Sequence, residues 1–397
     1  MDIEKILSGL KSKGNFRTLP EITHCGKHVV RDGREMLNLS SNDYLGLASD
    51  AGLREVFLSS LKSDDFVFSA SSSRLLTGNC EAYGRLESRL ASMYGREAAL
   101  VFSSGYLMNA GILPAIADES TLVLADKLVH ASMIDGIRLS NARTIRYRHG
   151  DIEQLSRLVS ENCSRFSTIV IMTESIFSMD GDVSDLRQFV KLKKRYPGVI
   201  LYVDEAHAAG TRGDTGLGIA QEQGCIADID IICGTFGKAF ASVGAYTVCS
   251  SDMRSFLVNR MRTLIFNTAL PPLNIMWTDF ILSNSGTFSD RRRHLADISS
   301  RLRAGLASAG LECESASNIV PVVAGSSDAA VRLSEHMQNA GFYLLPVRPP
   351  TVPEGTARLR VSLTASVTEN EVDSLLQVLR TVSERSVWEQ EHYMLRK

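Results

Sequence analysis

What the sequence lacks narrows its function before any motif is read. It has no excess of charge of either sign: 43 Lys and Arg stand against 45 Asp and Glu, a formal charge of -2. Nothing therefore draws the whole chain to a polyanion such as RNA or DNA, and no nucleic-acid partner is expected. The basic runs from Lys193 to Arg195 and from Arg291 to Arg293 sit in polar helical surroundings and read as solvated faces. No window approaches the roughly 18 apolar residues of a membrane span. The opening MDIEKILSGLKSKG carries no apolar core of the kind a secretory leader needs, so a cytoplasmic protein without a membrane partner is expected. The seven cysteines include no C-x-x-C pair, which argues against a metal knuckle and against a disulfide framework. They read as reduced, small apolar residues, and no metal site is expected. No internal repeat or low-complexity tract is present.

What the sequence has is enough apolar residue, 44%, to bury a large core over 397 residues, a length that argues for about two or three domains. Short branched runs read as buried strands: AALVF (98–102), TLVLAD (121–126), TIVIMT (168–173), VILYVD (199–204), IDIICG (229–234) and AYTVCS (245–250). Helical spacing fills the stretches between them, as in the segment from Gly84 to Tyr94, where Leu86, Leu90 and Met93 share a face. This is an α/β pattern with a mostly parallel sheet. After about residue 285 polar helices flank IVPVV (319–323), FYLLPV (342–347) and RLRVSL (358–363), the style of a small α+β domain. The expected division is an N-terminal segment over 1–45, a large α/β domain over 46–285 and a small α+β domain over 286–397.

In such sheets ligands gather beyond the carboxyl ends of the strands. Here five successive runs end in donors or acids: Ser103, Ser104, Gly105 and Tyr106; Lys127 and His130; Glu174, Ser175 and Ser178; Glu205 and His207; Thr235, Gly237 and Lys238. One shared polar ligand accounts for all of them. The run LYVDEAH (201–207) is spelled like the magnesium-holding strand of nucleic-acid helicases. A motor also needs a G-x-x-x-x-G-K-[ST] loop ahead of that strand, and the only candidate, from Gly234 to Lys238, is too short, is followed by Ala239 and comes after Asp204.

An aspartate, a histidine three residues later and a lysine beyond the next strand instead suit pyridoxal 5'-phosphate. Its aldehyde condenses with a lysine amine, and its ring nitrogen keeps a proton only beside a buried carboxylate. Lys238 can be that amine and Asp204 that carboxylate. Ser104, Gly105, Tyr106 and Thr235 can supply helix-start N–H groups and hydroxyls to the phosphate. His130 can cover the ring. Taken singly, Lys238 reads as a surface lysine, Asp204 as a helix cap, and His130 and His207 as structural histidines. Their joint placement at strand ends decides for the cofactor.

The same residues carry a family resemblance. LSSNDYLGL (39–47), SRLLTGN (73–79), SSGYLMN (103–109), DKLVHAS (126–132), TESIFSMDGD (173–182), VDEAHAAG (203–210), GTFGKAF (234–240) and NTALPP (267–272) resemble the α-oxoamine synthases over about 37–364. These are pyridoxal-phosphate enzymes of aspartate-aminotransferase-like fold, fold type I, that condense an amino acid with an acyl thioester and release carbon dioxide. VRPPTVPEGTARLRVSLTA (347–365) looks like the members that join L-alanine to a pimeloyl thioester. The resemblance implies that Lys238 holds the cofactor, Asp204 pairs with its ring nitrogen, His207 bonds its phenolic oxygen and His130 stacks on it. It adds Ser178 and Thr268 to the cofactor contacts, Thr268 from the second subunit of a homodimer whose active sites lie at the subunit interface. It assigns Arg17, Asn42, Arg348 and Arg360 to substrate, with Arg360 on the amino-acid carboxylate and Arg17 on a carboxylate of the acyl substrate. The chain departs from the pattern at Tyr83, at Ala70 to Ser72 and at Ala208. A related synthase, making 2-amino-3-oxobutyrate, 5-aminolevulinate or a sphingoid base, would keep every cofactor residue. A cofactor-binding regulator without activity would need a fused DNA-binding segment, and neither end shows a helix-turn-helix pattern or basic cluster.

Overall fold

A computed structural model describes residues 1–311 and 313–384 of the chain. The tail after Val387 considered above lies outside the described residues. The chain divides into two compact units, one made of Ala51–Phe177 and Val183–Arg292, the other of Met1–Asp50, Ser178–Asp182 and the chain from Arg293 onward. Among the described residues no helix is long and apolar enough to cross a membrane.

The first unit is built on a seven-stranded sheet. Across it the strands run Ala98–Phe102, Ala245–Cys249, Ile231–Thr235, Val199–Asp204, Thr168–Glu174, Thr121–Asp126 and Arg143–Tyr147. Ala245–Cys249 is antiparallel to both neighbours and every other pairing is parallel. The parallel strands need crossover connections, and helices supply them. The strands TLVLAD and, at one edge, AALVF are buried at every position, which is why they read as unbroken apolar runs. Leu100, Val123, Val170, Met172, Tyr202 and Ile231 belong to one core cluster with Ile112 and Leu113 of the helix Gly105–Ile116. The edge strand Arg143–Tyr147 was not expected from sequence: RTIRY is polar, and only Tyr147 is buried.

Strand ends and helix starts are joined by short caps. Ser104 Oγ accepts the Leu107 N–H at 3.1 Å to start the helix Gly105–Ile116, and His130 Nδ1 accepts the Ser132 N–H at 3.2 Å to start Ala131–Leu139. These two helices pack closely. A Cβ at Gly136 would stand 2.5 Å from the Asn109 carbonyl oxygen, so only glycine permits the approach.

The second unit carries two small sheets. One is antiparallel, Ile319–Gly325 beside Ala357–Ser362 beside Pro346–Val347. The other pairs the N-terminal strands Thr23–Cys25, His28–Arg31 and Arg34–Asn38, and Phe342–Tyr343 joins its edge in parallel. The run FYLLPV is thus two short strands in two different sheets. The insertion Ser178–Asp182 is hooked into this unit: Gly181 accepts the Ala316 N–H at 3.1 Å, and the buried Arg358 pairs with Asp180. Gly181 sits at φ 72° against the Ile319 carbonyl, a backbone that a side chain would strain.

Candidate active site

The carboxyl ends of the central strands bring most of the expected cofactor residues together within the first unit. Lys238, in the loop after Ile231–Thr235, places Nζ 2.7 Å from His207 Nε2. Asp204 ends its strand buried, its Oδ1 accepting the Ala206 N–H at 2.8 Å and its Oδ2 accepting from Asn109 Nδ2 at 2.7 Å. Asn109 is the hub of a directed chain. Tyr202 donates its hydroxyl to Asn109 Oδ1 at 2.7 Å, and Asn109 Nδ2 also reaches Ser132 Oγ at 3.0 Å. With that oxygen accepting from Asn109, the Ser132 hydroxyl donates to His130 Nδ1 at 2.7 Å. Proton placement is therefore fixed from a buried tyrosine through to the imidazole, which carries its own hydrogen on Nε2. Packing around the His130 ring lowers its pKa; the Asp204 carboxylate opposes this and Lys238 reinforces it. The ring itself remains exposed, available to cover a ligand.

Asn109, Ser132 and Tyr202 had no role assigned from sequence. The contacts of Asn109 with Asp204 and Tyr202 span 95 and 93 residues, and that with Ser132 spans 23, none of which spacing can show. One signal was available: Asn109 is a buried amide in the otherwise apolar helix GYLMNAGILPAI.

Two further carboxylates lie beneath this group. Glu205 is fully buried and accepts from Ser175 Oγ at 2.5 Å and from the Ile219 and Ala220 N–H groups at 3.0 and 2.7 Å. Burial pushes it up to about 7, against the pull of those donors. Glu174 is buried too, and its Oε1 accepts the His130 backbone N–H at 2.5 Å.

The helix start Gly105–Ile116 presents first-turn N–H groups and the positive end of a helix dipole, the ordinary receptor for a phosphate. Thr235 is beside it, its Cβ 3.9 Å from a Cβ built on Gly105. Its Oγ1 donates to the Gly244 carbonyl at 3.1 Å and accepts the Gly237 N–H at 3.2 Å. Tyr106 donates its hydroxyl to Asp135. Thr268 is tied to this loop through its carbonyl, which accepts from Ser103 Oγ at 3.1 Å. Tyr83 is buried and accepts the Leu270 N–H at 2.8 Å.

Ser178, Asn42 and Arg360 meet in the second unit. Arg360 donates to the Ser178 carbonyl at 2.5 Å, to Asn42 Oδ1 at 3.1 Å, to Ser362 Oγ at 2.7 Å and to the Tyr44 hydroxyl at 3.2 Å. All four acceptors are neutral. The adjacent Arg358 is instead consumed by Asp180. Arg17 and Arg348 form a second group: Arg17 donates to Thr351 Oγ1 at 2.9 Å and to the Arg348 carbonyl at 3.4 Å, and Arg348 to the Gly14 and Phe16 carbonyls. Desolvation and the charge of Arg17 lower the Arg348 pKa.

A family model described as aminotransferase class I and II matches residues 34–379. The chain belongs to that family. A Pasteurella multocida protein, named provisionally as an 8-amino-7-oxononanoate synthase, is 49% identical over 95% of this chain and 98% of its own length. A Neisseria meningitidis protein of the same provisional name is 51% identical over 92% of this chain and 96% of its own. Among solved structures, the serine palmitoyltransferase of Sphingomonas wittichii matches with a TM-score of 0.87 at 28% identity, covering 97% and 96% of the two chains. The 8-amino-7-oxononanoate synthase of Francisella tularensis matches with a TM-score of 0.76 at 26% identity, covering 87% and 97%. The fold is the type I, aspartate-aminotransferase-like one, and the chain is a pyridoxal-phosphate-dependent α-oxoamine synthase, an acyltransferase-type enzyme. A lysine amine, a buried carboxylate held by an amide, an imidazole and a capped helix start are groups that could hold pyridoxal phosphate.

Proposed function

We propose that the enzyme condenses L-alanine with a pimeloyl thioester, releasing carbon dioxide and the thiol, to give 8-amino-7-oxononanoate for biotin biosynthesis. The observation that carries the substrate choice is the identity of about half of all residues, over more than nine-tenths of the chain, with the Pasteurella and Neisseria proteins. The serine palmitoyltransferase fold match is high, but its 28% identity weighs less.

Pyridoxal phosphate, when bound, supplies an electron sink for bonds broken at the amino acid's Cα. In this reading Lys238 takes its aldehyde, Asp204 faces its ring nitrogen, His207 its phenolic oxygen and His130 its ring. Ser104, Gly105, Tyr106, Ser178 and Thr235 supply contacts to the cofactor, and Thr268 does so across a homodimer interface. Asp204 is suited to its part because it is buried and its carboxylate is oriented by Asn109 and the Ala206 N–H. Lys238 Nζ would be the base for the Cα proton, and His207 Nε2, 2.7 Å away, would hold that amine in position. Arg360 takes the alanine carboxylate in paired charge-assisted bonds, which four neutral acceptors leave electrostatically unsatisfied. Asn42 orients that guanidinium, and the Arg17 and Arg348 pair offers positive charge to the acyl substrate. Such substrates belong to the cytosol, where we place the enzyme.

A turnover panel of alanine, glycine and serine against pimeloyl, acetyl, succinyl and palmitoyl thioesters tests this reading. Alanine with the pimeloyl thioester is expected to exceed every other pair in kcat/KM. A higher value for serine with palmitoyl, or for glycine with acetyl or succinyl, would replace the substrate assignment while leaving the family intact.

A further inference from the structure

Three buried carboxylates end three adjacent parallel strands of the large sheet. Asp126, Glu174 and Asp204 terminate Thr121–Asp126, Thr168–Glu174 and Val199–Asp204, which lie side by side in that order. Glu174 and Asp204 are direct cross-strand partners, and the register Ala125 to Met172 puts Asp126 beside Thr173. Like charges so placed cannot all be carried out of water without compensation. Two of the three have it. Asp126 accepts from the Leu128 and Gly150 N–H groups at 2.8 and 3.0 Å and contacts His149 Nδ1 at 3.0 Å. Asp204 has the Asn109 amide and the Ala206 N–H, with Lys238 close enough to act on its neighbours. Glu174, in the middle, has a single backbone donor, the His130 N–H.

We propose that Glu174 is carried as the neutral acid, a positioning residue that holds the His130 backbone without adding negative charge beside Asp204. One carboxyl oxygen, Oε1, accepts from the His130 N–H, and the proton resides on the other. Two consequences meet in one residue. The carboxyl ties the end of one strand to the N-cap of the helix that starts at Ala131, and so fixes where the imidazole stands. Its neutrality puts no second negative charge beside Asp204, whose carboxylate is the partner a protonated ring nitrogen needs. Burial is the main force that keeps the acid protonated; Asp204 adds to it and Asp126 adds less, while Lys238 and the His130 N–H oppose it. The other titratable groups around the cluster are His130, His207 beside Lys238, His149, and the buried Glu205, Tyr147, Tyr202 and Cys233. The inference rests on pyridoxal phosphate as cofactor and not on the choice of amino acid or acyl chain, so it is tested without substrate.

The test uses the purified, cofactor-loaded full chain. Infrared spectroscopy at neutral pH is expected to show a protonated-carboxyl band that is lost in Glu174→Gln and retained in Glu205→Gln. Because glutamine keeps a neutral acceptor for the His130 N–H, Glu174→Gln is expected to hold the cofactor within about threefold of wild-type affinity, with its absorbance unmoved. Glu174→Ala removes the acceptor and is expected to weaken cofactor binding by about tenfold and to shift the absorbance. As pH is raised, ionisation of Glu174 is expected to add a step to the absorbance titration of the wild type that Glu174→Gln lacks. A wild-type spectrum with no carboxyl band assignable to Glu174, or a Glu174→Gln variant as impaired in cofactor binding as Glu174→Ala, would overturn the proposal. The infrared comparison within the wild type stands even if the alanine variant fails to fold.

Discussion

Asn109 donates to Asp204 Oδ2 at 2.7 Å across ninety-five residues of sequence, from a helix interior to the end of a strand. The same amide serves Ser132 and receives the Tyr202 hydroxyl. Asn109→Ala takes from a buried carboxylate oxygen and from the buried Tyr202 phenol the amide each one bonds, a cost of about 1–3 kcal/mol. Urea unfolding of the apoprotein and cofactor titration should both register it, the first as a lower midpoint and the second as weaker binding.

Borohydride added to the loaded protein should fix the cofactor to one peptide, the one containing Lys238. Mass spectrometry of a digest reads the result, and a label on any other lysine would remove Lys238 from its proposed role.

Asp204→Asn keeps the shape of the side chain and its place beside Asn109 but loses the charge. The protein should still fold and retain some cofactor, while kcat falls by about a hundredfold or more, since an amide does not hold a ring proton by charge. Steady-state kinetics with a circular-dichroism check of folding separates the two effects.

Arg360 and Arg358 give opposite outcomes from neighbouring positions. Arg360→Ala should leave cofactor absorbance intact and weaken alanine binding at least about tenfold, or 1.4 kcal/mol. Arg358→Ala should instead lower stability by about 1–3 kcal/mol, because it strands Asp180, and Asp180 is partly solvated, which limits the loss. Spectral titration with alanine and urea unfolding distinguish them; unchanged alanine affinity in Arg360→Ala would move the carboxylate site.

The pH dependence of stability follows from Glu205. Its folded pKa is raised from 4.5 to about 7, so the native state holds a proton that the unfolded chain releases. That contribution is complete below the unfolded pKa and is lost as pH climbs towards about 7. The melting temperature should fall over this window, and Glu205→Gln should flatten the slope whatever it does to the absolute value.

Placement was legible where it follows strand ends, and obscure where it depends on contacts between distant segments. That Asp204 ends a buried strand and that Lys238 follows the next one could be read because apolar runs such as VILYVD stop at a charged residue; the 2.7 Å approach of Lys238 to His207 could not. The edge strand RTIRY was missed because it is solvated and has no apolar run to announce it. FYLLPV read as one strand because an apolar hexapeptide does not reveal that its two halves pair with different sheets. The alternation in RLRVSL marks one face, yet both arginines occupy it, and only the position of Asp180 tells which of them is spent on an ion pair.

The five residues from Ser178 to Asp182 have a consequence for how the polypeptide is made. Their anchors, Ala316, Arg358 and Arg360, are translated well over a hundred residues later. On the ribosome this hook emerges with nothing to catch it, and the strands before and after it can pair while it waits. A nascent chain stopped before Ala316 therefore leaves Gly181 in an unsupported left-handed turn, and one stopped before Arg358 leaves Asp180 without its cation. This makes residues 178–182 a built-in reporter of completed synthesis: a protease cutting there should distinguish stalled chains from finished ones.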